Sequence, residues 1–487
     1  MKAARLAIVL LAVSASTLPL TDAGALNVPT ATQLALPTPN SGLNQGYLPF
    51  QSCSSIANCA VTGIYITSQG YTAGVIDSEV KGVWQRAIAV TPPPRTSASK
   101  GVTMDGLSCA ASGSCVAVGQ YVTSTNQLPF VVTEIKGVWR KGASLSLPAG
   151  AIGTDQVATP HAISCAGAGY CTVVGTYIAA AANAQGHPST QGFISSEVGG
   201  VWHVASKLVL PPGANANPLA SLAQVSCYSN SGCVAVGSYV DANSVSHDLV
   251  VTQVNGHWHA AVSVGLPGNA SAFAGAQFSE VACTASGSCM AAGTYNTTAG
   301  AVEPLVALNV TTGIALGWSR ALEVTLPSAA TNPETLVYGF KGISCAAPGD
   351  CAFGGQFVDA NGHYQGFLDN VVNATVQRAH ELILPTGAVQ AGHNGGVVSV
   401  DCPAIGTCVA GGAYLNVANQ YEAILTSETN NVWTLGATIT LPHNAPSVGV
   451  AGGIYSVQCF NTSSCEVSGS YQSSSSRYDG FALATSG

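Results

Sequence analysis

Residues 108–121 read S-C-A-A-S-G-S-C-V-A-V-G-Q-Y, two cysteines six positions apart followed by an apolar run that ends in Gly119 and Tyr121. The unit recurs along the chain. First cysteines stand at Cys53, Cys109, Cys165, Cys227, Cys283, Cys345, Cys402 and Cys459, and their partners follow at Cys59, Cys115, Cys171, Cys233, Cys289, Cys351, Cys408 and Cys465, which uses all 16 cysteines. Successive first cysteines are 56, 56, 62, 56, 62, 57 and 57 residues apart. A chain of 487 residues ordinarily divides into several domains, but one unit repeated end to end overrides that expectation.

Within the unit, Leu107 to Cys109 reads as a short strand, the residues around Gly113 as a turn, and Cys115 to Tyr121 as a second, alternating strand. Pro129 to Lys136 is a third, β-branched run. Lys136-Gly137 supplies a hairpin turn, and Val138 to Leu147, carrying Trp139, reads as a fourth strand ended by Pro148. Cysteines that close one strand and open its hairpin partner face each other at disulfide spacing, so each pair is expected to bond locally. Structural zinc prefers about two to four residues between paired cysteines, which this spacing does not match.

Four strands at this period is the arithmetic of a β-propeller, since a solenoid turn takes about 20 to 30 residues. The expected fold is all-β, an eight-bladed propeller of four-stranded antiparallel blades; a seven-bladed or a two-propeller arrangement is the alternative. A Trp stands nine residues before a Pro in six copies, from Trp84 and Pro93 to Trp433 and Pro442, and the Pro precedes the next cysteine. The slot holds Val376 in the sixth copy. The eighth copy stops after its third strand, while Val28 stands nine residues before Pro37 and residues 31–37 match a fourth-strand ending. Residues 27–36 are therefore expected to complete the last blade and hide its edge.

Lys2 and Arg5 precede an apolar run, and Ala23-Gly24-Ala25 offers a small-residue cleavage site, so residues 1–25 read as a signal peptide and 26–487 as one domain. The expected product is secreted or envelope-associated, a monomer without a membrane span. Only 7% of residues are charged, with 14 basic against 22 acidic, which offers no clustered cationic footprint for nucleic acid.

The chain resembles secreted bacterial β-propeller repeat proteins of actinobacterial type with S-C-x5-C-x-A-V-G-x-Y units and, more distantly, kelch and sialidase-like propellers. The resemblance implies the fold and little about activity. Sialidases carry S-x-D-x-G-x-T-W turns, whereas Ser78 to Trp84 reads S-E-V-K-G-V-W, and Arg86, Arg140, Arg320 and Arg378 all fall on fourth strands. No catalytic set, metal site or cofactor is assigned. His257 and His259 flank Trp258 without further ligands, and the Trp positions read as packing between sheets.

Propellers place the loops between blades and those joining second to third strands on one face. The interblade loops are expected to carry Arg95, Lys100, Asp155, His161, Phe273, Glu280, Glu334, Tyr338, Lys341, His393, His443 and Tyr455. At the mouth of the third strand, one repeat position holds Gln191, His247, Glu303, Gln365, Glu422 and Asp479, beside Tyr364, Tyr421 and Tyr478. These are the candidate binding residues for an extracellular protein, glycan or wall polymer. The competing readings are a glycoside hydrolase or lyase using Glu303, Glu422 or Asp479, which needs two carboxyls about 5 to 10 Å apart, and a structural envelope protein.

Overall fold

A computed structural model describes residues 27–37, 45–97, 101–180, 188–273, 275–309, 317–327, 337–389, 395–446, 452–474 and 477–485. The proposed leader, Lys100, Glu334 and His393 lie outside them, as do the side chains of Tyr338 and Lys341. Eight separate antiparallel sheets follow in chain order, with consecutive strands as neighbours in each. The first strand of each blade lies innermost. Adjacent blades bury one apolar cluster between them; Ala60 and Ile76 of blade 1, for example, pack with Met104, Ala117 and Phe130 of blade 2. Trp139 joins that same cluster and donates its indole N–H to Ser78 Oγ of the preceding blade at 2.9 Å, as expected of a residue that packs between sheets.

The last blade is assembled from both chain ends. Thr32 and Gln33 pair with Ala482 and Phe481, so the N-terminal segment supplies the fourth strand. Its regular ladder is shorter than residues 27–36, because fourth strands throughout are broken: blade 2 has Val138–Trp139 and Ala143–Ser144 in place of one continuous strand. The intervening residues turn to bond the neighbouring blade. Gly142 N–H donates to Thr91 O at 2.8 Å, Ala205 to Ser146 at 2.9 Å and Ala261 to Val209 at 2.8 Å. The same bond runs from Ala321 to Gly265, Ala379 to Thr325, Gly436 to Ile383, Ala31 to Thr440 and Ala87 to Ala35, so the outer belt passes through every blade junction. Its last two members depend on the N-terminal segment. That segment also buries Ala31, Leu34 and Leu36 at the two junctions flanking blade 8.

The cysteines form eight local disulfides with Cα atoms 3.9 to 4.1 Å apart. They join directly opposed residues of the two inner strands, such as Cys109 and Cys115. The residue before each first cysteine, a serine in five of the eight blades, has a separate task. An innermost strand exposes unpaired backbone donors along its edge, and the preceding blade meets one of them: Cys109 N–H donates to Ser52 Oγ at 2.9 Å, Cys165 to Ser108 at 3.0 Å and Cys227 to Ser164 at 3.0 Å. Cys283 uses Ser226, Cys402 uses Ser344, and Cys459 uses Asp401 Oδ2 at 2.6 Å. At the junction of blades 8 and 1, Gln458 grips Cys53 twice, accepting from its N–H at 2.7 Å and donating to its carbonyl at 2.9 Å. Ala282 lacks the side-chain acceptor at the junction of blades 5 and 6.

Candidate functional site

The inner strands are longer than the sequence reading allows: in blade 2 the strand is Val102–Ala111, not three residues. Each carries a β-bulge four residues before its cysteine. In blade 2 the register shifts between Met104 and Gly106, leaving Asp105 as the extra residue; in blade 3 the shift leaves His161, and in blade 8 Tyr455. The glycine of the repeat is explained by this bulge. A Cβ on Gly119 would lie 2.1 Å from Thr103 O, and one on Gly293 would lie 1.9 Å from Gln277 O, so only glycine lets the bulged carbonyl approach.

The bulge also corrects the placement of several candidate residues. His161, Glu280 and Tyr455 belong to inner strands, not to interblade loops, as do Tyr338 and Lys341 in backbone terms. The bulge position holds Pro49, Asp105, His161, Ala223, Ser279, Lys341, Val398 and Tyr455, so a level of the ring that is constant in backbone is different in every blade.

A cavity of about 670 Å³ occupies the channel between the inner strands. One wall is aromatic, with Tyr47 and Phe50 of blade 1 and Tyr455 of blade 8; the Tyr47 and Tyr455 rings meet edge to face at 5.2 Å. Burial, and then the neighbouring Tyr455, push the Tyr47 hydroxyl up to about 12. The other walls bring Gln51, Asp105, Gln224 and Glu280, with Gln224 Nε2 donating to Glu280 Oε2 at 3.3 Å. Burial raises the Asp105 carboxyl to about 6, against the lowering effect of a hydrogen bond from Gln120. Its Oδ2 and Gln51 Oε1 are buried without a hydrogen-bond partner. In blade 3, His161 Nδ1 lies 2.7 Å from Leu222 O of the next blade, and burial lowers its pKa.

The third-strand residues singled out from the sequence stand further out, directly across from the tyrosine or phenylalanine that ends the second strand: Gln191 opposite Tyr177, His247 opposite Tyr239, Glu303 opposite Tyr295, Gln365 opposite Phe357, Glu422 opposite Tyr414 and Asp479 opposite Tyr471. Gln191, Gln365 and Asp479 are buried. Their contacts are local. Glu422 accepts from the Tyr414 hydroxyl and from Asn416 Nδ2 at 2.7 Å, and Asp479 accepts from Gln33 at 3.3 Å and Asn444 at 3.2 Å. Gln365 donates to Asp359 at 3.1 Å, and His247 stacks on Tyr239 with Nε2 3.2 Å from Asp241. Burial, and then Glu323 nearby, raise the Glu303 carboxyl to about 7. Tyr421 and Tyr478 are exposed and Tyr364 is half-buried. Glu303, Glu422 and Asp479 thus sit in three different blades, away from the inner strands that line the channel.

Among the described residues, Cys59, Glu79 and Glu466 bring three potential metal-ligand atoms within 4.8 Å of one another. Cys59 is bonded to Cys53, so the group offers two carboxylates and no thiolate. His257 and His259 are both exposed on the outer strand of blade 4. No helix among the described residues is long and apolar enough to cross a membrane.

No protein-family model matches the sequence, and no curated protein does. Among solved structures, the chain is similar to the Dos1 propeller, at a TM-score of 0.50 and 10% identity over 95% of each chain. Weaker likenesses are to the six-bladed fucose-recognising lectin of Aleuria aurantia (TM-score 0.32, 8% identity, 73% of this chain and 100% of that one) and to the Hadza microbial sialidase Hz136 (0.36, 10%, 85% and 73%). At these identities the likeness is one of fold: the chain is a β-propeller with a disulfide in each blade.

Proposed function

We propose that the protein is an extracellular carbohydrate-binding propeller that takes its ligand at the channel mouth on the loop face. The supporting observation is the bulged level of the ring, where an invariant backbone presents a different residue in each blade. Sugars are recognised by an aromatic platform together with a few placed polar groups. Tyr47, Phe50 and Tyr455 supply the platform, and Gln51, Asp105, Gln224 and Glu280 the polar groups. Exposed Tyr421 and Tyr478 extend this surface outward along blades 7 and 8 for a longer glycan. Secretion is supported by the leader-like N-terminus and by disulfides in every blade, which persist in oxidising compartments.

A glycan array and a cell-wall pull-down with the secreted protein test the reading. Retention of a glycan is expected, weakened about tenfold or more by Tyr455→Ala and by Asp105→Asn, as for central residues of a binding site. Failure to retain any glycan, capture of a protein through the same residues, or turnover of a glycoside panel would each sink it.

A further inference from the structure

The hairpins joining third and fourth strands project on the face opposite the interblade loops, beside the disulfide turns: Gly82 N–H donates to Ala57 O, Gly137 to Gly113 O and Gly200 to Gly169 O. In blades 1 to 3 their tips are apolar. Val80 and Val83, Ile135 and Val138, and Val198 and Val201 flank the turns, and the second member of each pair is 61%, 53% and 60% exposed. Blade 7 also exposes a valine here, Val432, but without a lysine in its turn, and in blades 4 and 6 the equivalent second residues are His257 and Thr375. Blades 1 to 3 gather Lys81, Arg86, Lys136, Arg140, Lys141 and Lys207 on their exposed outer edge, whereas their outer carboxylates, Asp77, Glu79, Glu134 and Glu197, are buried. A cationic, apolar rim thus interrupts a chain whose net charge is −8.

Backbone strain marks the same tips. Lys81 (φ 53°) and Lys136 (φ 51°) occupy the left-handed region, where blades 4, 6 and 7 use Asn255, Asn373 and Asn430. Asparagine enters that region far more readily than lysine, so folding alone favours asparagine at these two turns. Between the two lysine tips lies a groove of about 760 Å³, lined by Ile76, Val83, Ile88, Val138 and Trp139 and edged by Arg86.

We propose that this rim docks the protein on an anionic lipid membrane, with the hairpin valines in the interface and the lysines and arginines among the headgroups. An anionic polymer would satisfy the cations and leave the valines in water. Docking here leaves the opposite, loop-bearing face free, and the inference does not rest on what that face binds.

The test is co-sedimentation of the full secreted protein with vesicles of phosphatidylglycerol mixed with phosphatidylcholine, and with phosphatidylcholine alone. Binding is expected to the first and not the second. Each cation at an acidic surface is worth about fivefold, so K81N/K136N lowers partitioning about 25-fold. That variant adopts the residue other blades use, and its melting temperature should match or exceed the parent's, separating lost docking from lost folding. Equal binding to both vesicle types, no binding to either, or unchanged binding by K81N/K136N overturns the proposal. Lipid-free self-association abolished by the same substitutions also overturns it, assigning the rim to a second copy.

Discussion

Residues 31–36 hold the ring shut, and Leu34→Ala should loosen that closure. Ordering residues 31–36 costs about 6 to 12 kcal/mol of backbone entropy. Against this, burying Leu34 and Leu36 returns about 2 to 3 kcal/mol each and Ala31 about 1. Five backbone bonds, those of the Thr32–Gln33 ladder with Leu34 to Gly480, Ala31 to Thr440 and Ala87 to Ala35, add about 1 kcal/mol apiece. The balance favours docking by only a few kcal/mol. Leu34 is 1% exposed in the cluster shared by blades 8 and 1, and its truncation costs about 3 kcal/mol, which raises the undocked population about 100-fold.

Leu145 fills the same slot in blade 2, three residues before the repeat proline, and is 4% exposed. Leu145→Ala is thus a chemically matched control in a blade whose strands are covalently consecutive. Native-state hydrogen exchange reads the difference. In Leu34→Ala, the amides of Ala31 and Ala87 should exchange about 100-fold faster, with Gly142 and Ala205 unchanged. The reasoning is refuted if Ala31 and Ala87 keep their parental rates, or if Leu145→Ala accelerates them equally, because the chain ends would then be no weaker than any other junction.

Two further outcomes follow from the frame. Asp77 and Glu79 are raised to about 7, Asp369 to about 8 and Glu428 to about 7, each chiefly by burial. The folded state therefore holds protons that the unfolded chain releases near pH 4. Stability should be greatest in acid and fall as pH rises from about 4 through 7 to 8; a melting temperature that stays flat or climbs over this range contradicts it, and Asp369→Asn should flatten the slope. Ala282→Ser restores the missing acceptor opposite Cys345 and should stabilise by about 1 kcal/mol in denaturant titration, the mirror of the loss from Ser108→Ala; no gain would mean that the serine bonds are incidental to blade stacking.

Architecture was legible because its determinants repeat. The eight cysteine pairs counted the blades and the Trp-to-Pro-to-Cys register located the closing segment, since each spacing reflects a packing slot that recurs from blade to blade. The inner strands were not legible in full. Alternation is the sign of a strand, and the bulge breaks it at His161 and Tyr455, which therefore read as loop residues. A signal was nonetheless present: the invariant glycine of the repeat, at Gly119 and Gly293, announces a close backbone approach from the facing strand. For the third-strand polar residues the strand was legible and the partners were not. Their polarity resembles a loop tip, yet Glu422 and Asp479 sit opposite tyrosines and hold fixed partners within the blade.

Positions in this chain thus divide by what constrains them. The cysteines and the glycine face the same neighbour in every blade, so symmetry holds them constant, and the serine and the tryptophan recur in most blades for the same reason. Where a position departs from its equivalents, the reason must lie outside the repeat. Gln458 departs because its blade closes the ring. Asp105, His161 and Tyr455 depart at the bulged level, where the contact made differs from blade to blade: His161 meets Leu222 O and Tyr455 meets the Tyr47 ring. Lys81 and Lys136 depart against a backbone preference that Asn255, Asn373 and Asn430 respect. The last case is the most informative, because a residue kept at a conformational cost points to a selective demand that the fold itself does not make.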